Sequence, residues 1–248
     1  MDWQGFFESY FYWKAWVFRI DPERTAKEVE GVLELLKPKS GSHFLDWAGG
    51  WGRHTIELAK RGYQVTLLDF AANHIEMARR LAEEAGVKVN FVHSDFRQTP
   101  ASIQADYAIN LFTSAVGYLT EDDDLQAFRS LHAALKPGAL FLIDTMNLFW
   151  LVKNYQPRGW HESEDGKRRL LSERKFDYMT NRNISREVYT EAGGEEEEHR
   201  LDLHIYSAAE LATILRRAGF EPVELYGDFN GESFDFDSKR IVMISERR

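Results

Sequence analysis

Apolar residues fall in short runs divided by polar, turn-rich stretches, and the period of the runs changes along the chain. Five runs read as strands: His43–Asp46, Tyr63–Asp69, Val87–His93, Tyr107–Phe112 and Ala139–Asp144. Between them, apolar positions at helical spacing predict helices from Arg53 to about Arg61, over Asn73–Glu84 and over Asp122–Leu135. Gly62, Gly86 and Lys136-Pro137-Gly138 stop them. An earlier helix starts near Asp21-Pro22, with Asp as cap and Pro in the first helical position, and stops at Lys37-Pro38. Strands alternating with helices predict a parallel sheet with right-handed crossovers. Ligands in such sheets sit beyond the carboxyl ends of the strands, near the switch point.

After Met146 the period becomes two. Stretches near Arg168–Tyr178, Ile184–Glu191 and Arg200–Tyr206 alternate, which predicts an antiparallel insertion. The run Gly193–Glu198, GGEEEE, reads as a solvated hairpin tip. Ser207 caps a helix reaching Arg217, which Gly219 ends, and Pro222–Tyr226 with Arg240–Ser245 form a last hairpin. The expected fold is α/β: a Rossmann-like, doubly wound, mostly parallel seven-stranded sheet with an antiparallel last strand, plus the antiparallel β insertion after strand five. The expected organisation is N-terminal helices over the ligand cleft in residues 1–40, a core in 41–146 and 207–248, and a substrate cap in 147–206.

The chain begins MDWQGFFESYFYWKAWVF, where Trp3, Phe6, Phe7, Tyr10, Trp13 and Val17 fall on one helical face. The interrupting Asp2, Glu8 and Lys14 and the lack of a basic start argue against a signal peptide. Such a helix either lies over the cleft or packs on the core. A surface-bound membrane helix would carry more Lys and Arg opposite, and no stretch is long and apolar enough to span a bilayer. The formal charge of −9 and the lack of a basic stripe argue against a nucleic-acid partner. With no cysteine, thiolate chemistry and disulfides are excluded, which fits a cytoplasmic setting.

The chemistry centres on FLDWAGGWGRHTIELAKRGYQVTLLDF, Phe44–Phe70, which reads as strand, glycine turn, helix and strand. A Walker loop is absent. A dinucleotide fingerprint starting at Gly50 would need its third glycine where Thr55 stands. What remains is D-x-[GA]-x-G-x-G: Asp46, Ala48, Gly50 and Gly52. With Asp69 after strand two, SDF (Ser94–Phe96), NLFTSAVGYL (Asn110–Leu119), LKPGALFLIDTMN (Leu135–Asn147) and AGFEPVELYGDFNG (Ala218–Gly231), it resembles class I S-adenosylmethionine-dependent methyltransferases. The likeness is to the small-molecule branch that includes glycine and aminosugar N-methyltransferases.

The resemblance implies S-adenosylmethionine as cofactor, lying close to bare backbone at Gly50 and Gly52. Asp46, Ala48, Gly49, Asn110 and Leu111 are carried over as further cofactor contacts. Asp69 would accept hydrogen bonds from the ribose hydroxyls, Asp95 the adenine amino group, Phe96 would offer its N–H and Phe70 would lie on the adenine face. Without that likeness, Asp69 reads as a strand-end cap. Arg24, in ERTAKEVEGVLELL, matches an arginine that pairs with the cofactor carboxylate, and Trp13 is a partner from the preceding helix. Taken alone, Arg24 reads equally as a helix-surface residue. Alanine at position 48 is tolerable with φ below zero, and Trp51 is expected to point away from the ligand.

Methyl transfer is an in-line displacement, so alignment of nucleophile, methyl and sulfur is the main task. An amine acceptor is favoured over a hydroxyl, which needs a general base. The candidates for catalysis are His54, which reads more simply as a packed histidine, and Tyr118. Tyr118, Asn147, Tyr155, Trp160, Arg174 and Tyr178 are candidates for the acceptor site. His199 and His204, with Asp202 between, suggest metal, but alternation puts His199 on the opposite face from the other two, and no metal site is assigned. The expected partner is a small molecule, with the chain a monomer or homodimer. Two other readings stand beside this one: a degenerate binder of S-adenosylmethionine or S-adenosylhomocysteine, and a nicotinamide oxidoreductase.

Overall fold

The structure is a computed structural model that describes residues 3–9, 22–163 and 166–248. Trp13 and the expected cap Asp21 lie outside the described residues. Among the described residues the first sheet has seven strands in the order β10-β11-β5-β4-β1-β2-β3. They are β1 (His43–Trp47), β2 (Gln64–Asp69), β3 (Asn90–His93), β4 (Ala105–Asn110), β5 (Leu135–Met146), β10 (Phe220–Tyr226) and β11 (Arg240–Arg247). β1 to β5 run parallel, and β11 enters antiparallel between β5 and β10, as the sequence predicted. The order reverses direction at β1, between β2 and β4, so the crevice of the switch point opens above the glycine turn.

Helices α1 (Trp3–Glu8), α2 (Pro22–Leu36), α3 (Arg53–Lys60), α4 (Ala72–Glu84), α5 (Glu121–Ala134), α6 (Leu148–Lys153) and α7 (Ala208–Arg217) complete the described elements, with a single 3-10 turn at Phe96–Gln98. α5 and α7 start with reciprocal capping boxes, Thr120 with Asp123 and Ser207 with Glu210. Gly219, at φ +102°, follows α7. The central strands bury both faces and so read as nearly unbroken apolar runs. Trp47, Phe128, Phe141 and Phe220 pack in one core cluster, and the Trp47 indole N–H donates to Thr99 at 2.8 Å. No helix among the described residues is long and apolar enough to cross a membrane.

The second sheet has the order β6-β7-β8-β9, all antiparallel: β6 (Arg158–Glu162), β7 (Arg168–Asp177), β8 (Arg182–Glu191) and β9 (Glu197–His204). The GGEEEE run is the turn between β8 and β9, its last two acids already paired in β9. The sequence signal missed β6, whose RGWHE has a single large apolar residue and no period. It missed α6 because six residues, LFWLVK, are too few to show one. Lys136-Pro137-Gly138 does not precede β5 but lies within its bounds, where the register against β4 shifts.

Candidate functional site

β1 delivers the chain to a turn that is left-handed at three positions: Ala48 at φ +57°, Gly50 at +57° and Gly52 at +81°. The expectation of φ below zero at Ala48 is therefore wrong. An alanine there costs about 1 kcal/mol or more. The turn holds it because Gly49 N–H donates to Leu68 O, Gly52 N–H to Gly49 O and Gly50 N–H to the Asp69 carboxylate. The glycines have different jobs. A Cβ on Gly49 would lie within 2.9 Å of the Asp46 carboxylate atoms, so Gly49 is pressed against that side chain. A Cβ on Gly52 would meet Leu67 and Ala78 at 3.0 and 3.1 Å, so Gly52 seats α3 against β2 and α4 and lines neither of the two cavities beside Gly50. Only Gly50 has open space above it, its nearest neighbour being His74 at 4.0 Å.

Asp69 is 4% exposed and uses both oxygens: one accepts Gly50 N–H at 2.8 Å, the other Ala71 N–H at 2.9 Å. It is thus a strand-end brace, and it also lines a cavity with Trp3, Phe7, Ala48, Gly50, Phe70, His74, Phe96, Ser114, Ala115 and Tyr118. The Trp3 ring lies 4.6 Å from Phe70 and 5.6 Å from Phe96, so α1 supplies one aromatic wall. His74, Ser114 and Ala115 were not anticipated. His74 follows Asp69 in the first turn of α4, a position legible as strand-adjacent but not as lining.

A second cavity shares Ala48, Gly50 and Ser114 with the first. Its other walls are Asp46, Gly49, Trp51, Arg53, His54, Leu111 and Phe112. Trp51 therefore does not turn fully away; it borders this cavity as well as a groove along α4. Glu28 on α2 organises the wall, binding Arg53 and, at 2.9 Å, His54 Nε2. Burial pushes the Glu28 carboxyl up, but hydrogen bonds and charge from His54 and Arg53 outweigh it and hold it at about 2. Burial, then the Arg53 charge, pushes the His54 imidazole down, so it is neutral and donates to Glu28. His54 is a packed histidine held in place, not a free base. Burial raises the Asp46 carboxyl against the pull of His54 and the Thr55 hydroxyl, which donates to it at 2.6 Å.

The loop after β4 closes both cavities. Phe112, Thr113 and Ala115 all have positive φ, near +60°, an unusual concentration for residues with side chains. Asp144 on β5 holds it: Phe112 N–H donates to its carboxylate, Thr113 N–H to its carbonyl, and Arg240 bridges Asp144 to Thr113. Asn110 is buried, its amide donating to Trp47 O at 2.8 Å, and borders neither cavity, whereas Leu111 borders the second. Gly117 is clasped from both sides. Its N–H donates to the buried Asp124 carboxylate and its carbonyl accepts from His204 N–H and Arg182.

Next in the chain, Tyr118 lines a third cavity as well as the first. This one lies between the core and the inner face of the second sheet, among Met146, Trp150, Leu151, Tyr155, Arg174, Asn183, Ser185, Glu187, Leu201 and Leu203. Of the residues expected at the acceptor site, Tyr118, Tyr155 and Arg174 line this space. Trp160 and Tyr178 do not: they are 64% and 73% exposed and line none of these spaces. Trp160 sits on β6 away from the cavity, and Tyr178 rests on Phe176 in the turn after β7. Asn147 is fully buried as the cap of α6, donating to Asp235 O and Ser238 O, and lines none of the three cavities.

Two other expected contacts lie off the cavities. The Asp95 carboxylate is taken by Arg97 through its backbone and guanidinium; burial pushes its carboxyl up, and these bonds hold it below the usual range. Neither Asp95 nor Arg24 lines the first or second cavity, while Phe96 lines the first. Arg24 is half-exposed, paired with Glu28 at 2.8 Å, and lines an outer groove with Glu23 and Lys27.

Residues 44–138, from β1 to the start of β5, match the family model described as a methyltransferase domain. This span is a methyltransferase domain. The glycine/sarcosine N-methyltransferase of Aphanothece halophytica is 23% identical over 90% of this chain and 83% of its own length. The CcbJ methyltransferase of Streptomyces caelestis superposes with a TM-score of 0.79 at 21% identity, covering 92% of this chain and 90% of that one. CalS10 with bound S-adenosylmethionine, an amino pentose methyltransferase of Micromonospora echinaspora, gives 0.71 at 21% identity over 96% of each chain. At these identities the two solved structures establish a shared methyltransferase fold. The expected class, an S-adenosylmethionine-dependent methyltransferase, is borne out.

Proposed function

We propose that this methyltransferase moves a methyl group from S-adenosylmethionine to the amine of a small polar acceptor. The observation that carries the reading is Tyr118, which walls both the cavity above Gly50 and Asp69 and the cavity under the second sheet. A nucleoside in the first and an acceptor in the third would meet at that side chain.

The residues present fit the cofactor. Gly50 leaves open space above bare backbone, the Asp69 carboxylate has lone pairs beyond the two it uses for Gly50 and Ala71, and Phe70, Phe96 and Trp3 offer ring faces. Asp46 and Arg53 place an acid and a base at the second cavity, suited to an ammonium and a carboxylate. Bound there, S-adenosylmethionine would supply an electrophilic methyl on a sulfonium. The chain's own work is then alignment, which in favourable cases supplies about 7–11 kcal/mol of a barrier. A neutral amine needs no strong base, which agrees with His54 being tied to Glu28. Around the third cavity, Asn183, Ser185, Glu187, Arg174 and the Tyr155 hydroxyl form a polar lining for a polar acceptor.

A panel of amines, phenols and carboxylates tests this, with methyl transfer from labelled cofactor as readout and S-adenosylhomocysteine and NAD compared by thermal shift. Turnover confined to amines, with stabilisation by S-adenosylhomocysteine alone, is the expected result. Turnover of phenols or carboxylates only would overturn the amine assignment. Cofactor binding with no turnover of any acceptor would favour a binding protein without catalysis.

A further inference from the structure

The arginine expected to meet the cofactor carboxylate, Arg24, sits half-exposed on α2 in the outer groove. Arg53, the residue directly after the glycine turn, borders the second cavity beside Gly49 and Gly50. Its side chain is 8% exposed. One end of its guanidinium, Nη1, is engaged by the Thr25 hydroxyl at 3.0 Å and by Glu28. The other terminal nitrogen, Nη2, is buried and has no hydrogen-bond partner.

A buried guanidinium donor left without an acceptor is costly, and charged groups raise that cost. Such an atom calls for an explanation, and one bordering a cavity is open to a ligand acceptor. The fork is also held rigid: Glu28 pins it from one side and the Phe112 ring lies 5.5 Å from its centre. A planar, pre-oriented fork with one free edge suits a carboxylate. Asp46, on the same cavity, adds a carboxyl group able to accept from an ammonium. Together they match the two ends of an α-amino acid.

We propose that Arg53, rather than Arg24, binds the carboxylate of the amino-acid tail of S-adenosylmethionine, with Nη2 as the donor. This rests on the cofactor reading above. Glu28 is then a positioning residue: by occupying Nη1 it leaves the Nη2 edge for the ligand.

The test compares two ligands by calorimetry on the full chain. S-adenosylhomocysteine carries the amino-acid tail; 5′-methylthioadenosine has the nucleoside and sulfur but neither carboxylate nor ammonium. Arg53→Met and Arg53→Lys are expected to weaken S-adenosylhomocysteine roughly 10- to 100-fold and to leave methylthioadenosine within about twofold. Retained methylthioadenosine binding shows in the same sample that the variant is folded, and Arg53→Lys serves where Arg53→Met is not. Arg24→Met is expected to change neither ligand. Equal weakening of both ligands by the Arg53 variants would overturn the assignment, since Arg53 would then act through the turn. So would a selective loss in Arg24→Met with none in the Arg53 variants. If the unaltered chain bound neither ligand, the cofactor reading would fall first, a result distinct from the others.

Discussion

The Asp69 carboxylate accepts the N–H of Gly50 at 2.8 Å, tying the end of β2 to the turn after β1 across nineteen residues of sequence. The same carboxylate caps Ala71. One side chain thus shapes the glycine turn and lines the cavity above Gly50.

Replacing Asp69 should therefore have two separable effects. Asp69→Ala leaves one buried and one part-buried N–H group without their acceptor and is expected to cost about 1–3 kcal/mol in urea unfolding. It is also expected to abolish the thermal shift given by S-adenosylhomocysteine. A variant as destabilised as this that still showed the full shift would remove Asp69 from the ligand site.

Ala48 stands at φ +57°, where a Cβ is penalised and glycine is not. The relief of about 1–2 kcal/mol exceeds the extra chain entropy of glycine, about 0.5–1 kcal/mol. Ala48→Gly should raise the denaturation midpoint by an amount equivalent to about 1 kcal/mol or slightly less. A lowered midpoint would show that the methyl's contacts outweigh the backbone strain.

Asp124 predicts a pH dependence of stability. Burial pushes its carboxyl up to about 7, against hydrogen bonds from Tyr206 and Gly117. Below about pH 4 both folded and unfolded chains hold this proton. Between about 4 and 7 only the folded chain does, so stability from this group falls as pH rises and is fully lost above 7. Three pKa units set an upper bound of roughly 4 kcal/mol. Asp124→Asn, which cannot ionise, should gain on the parent chain steadily from pH 4 to 7 and hold a constant difference above. A difference independent of pH across that window would rule out a raised Asp124.

Tyr118 borders both the cavity above Gly50 and the cavity under the second sheet, with Phe7 5.1 Å from its ring. Tyr118→Ala should lower kcat/KM for the acceptor by about 10- to 100-fold through lost alignment. Affinity for S-adenosylhomocysteine, which meets several other walls, should change far less. Steady-state kinetics beside calorimetry checks this, and an equal loss in both would make Tyr118 a cofactor residue.

The order of elements was legible because it rests on local signals: apolar runs of strand length, helical spacing, glycines in left-handed turns and capping serines and threonines. Asp69 was legible for the same reason, an acid at a strand end beside a glycine turn. Arg53 and Arg24 show where such signals stop. Both are single arginines near helix starts, and their sequence surroundings do not say which is buried. Burial depends on how α2 lies across α3, which brings Glu28 from 25 residues earlier onto Arg53. Asn147, Trp160 and Tyr178 fail similarly. Each stands in a plausible segment, yet one caps α6 and two face solvent.

By itself the sequence determined the α/β order, the antiparallel strand entering last, the inserted second sheet and the acid and glycine positions of the turn. Those follow from period and backbone freedom, which each short segment carries within itself. Only the tertiary structure decided that Ala48 holds a left-handed turn, that Gly52 packs a helix while Gly50 faces space, and that Tyr118 is shared by two cavities. These depend on which distant side chains the packed core brings within a few ångströms, and no local pattern encodes that.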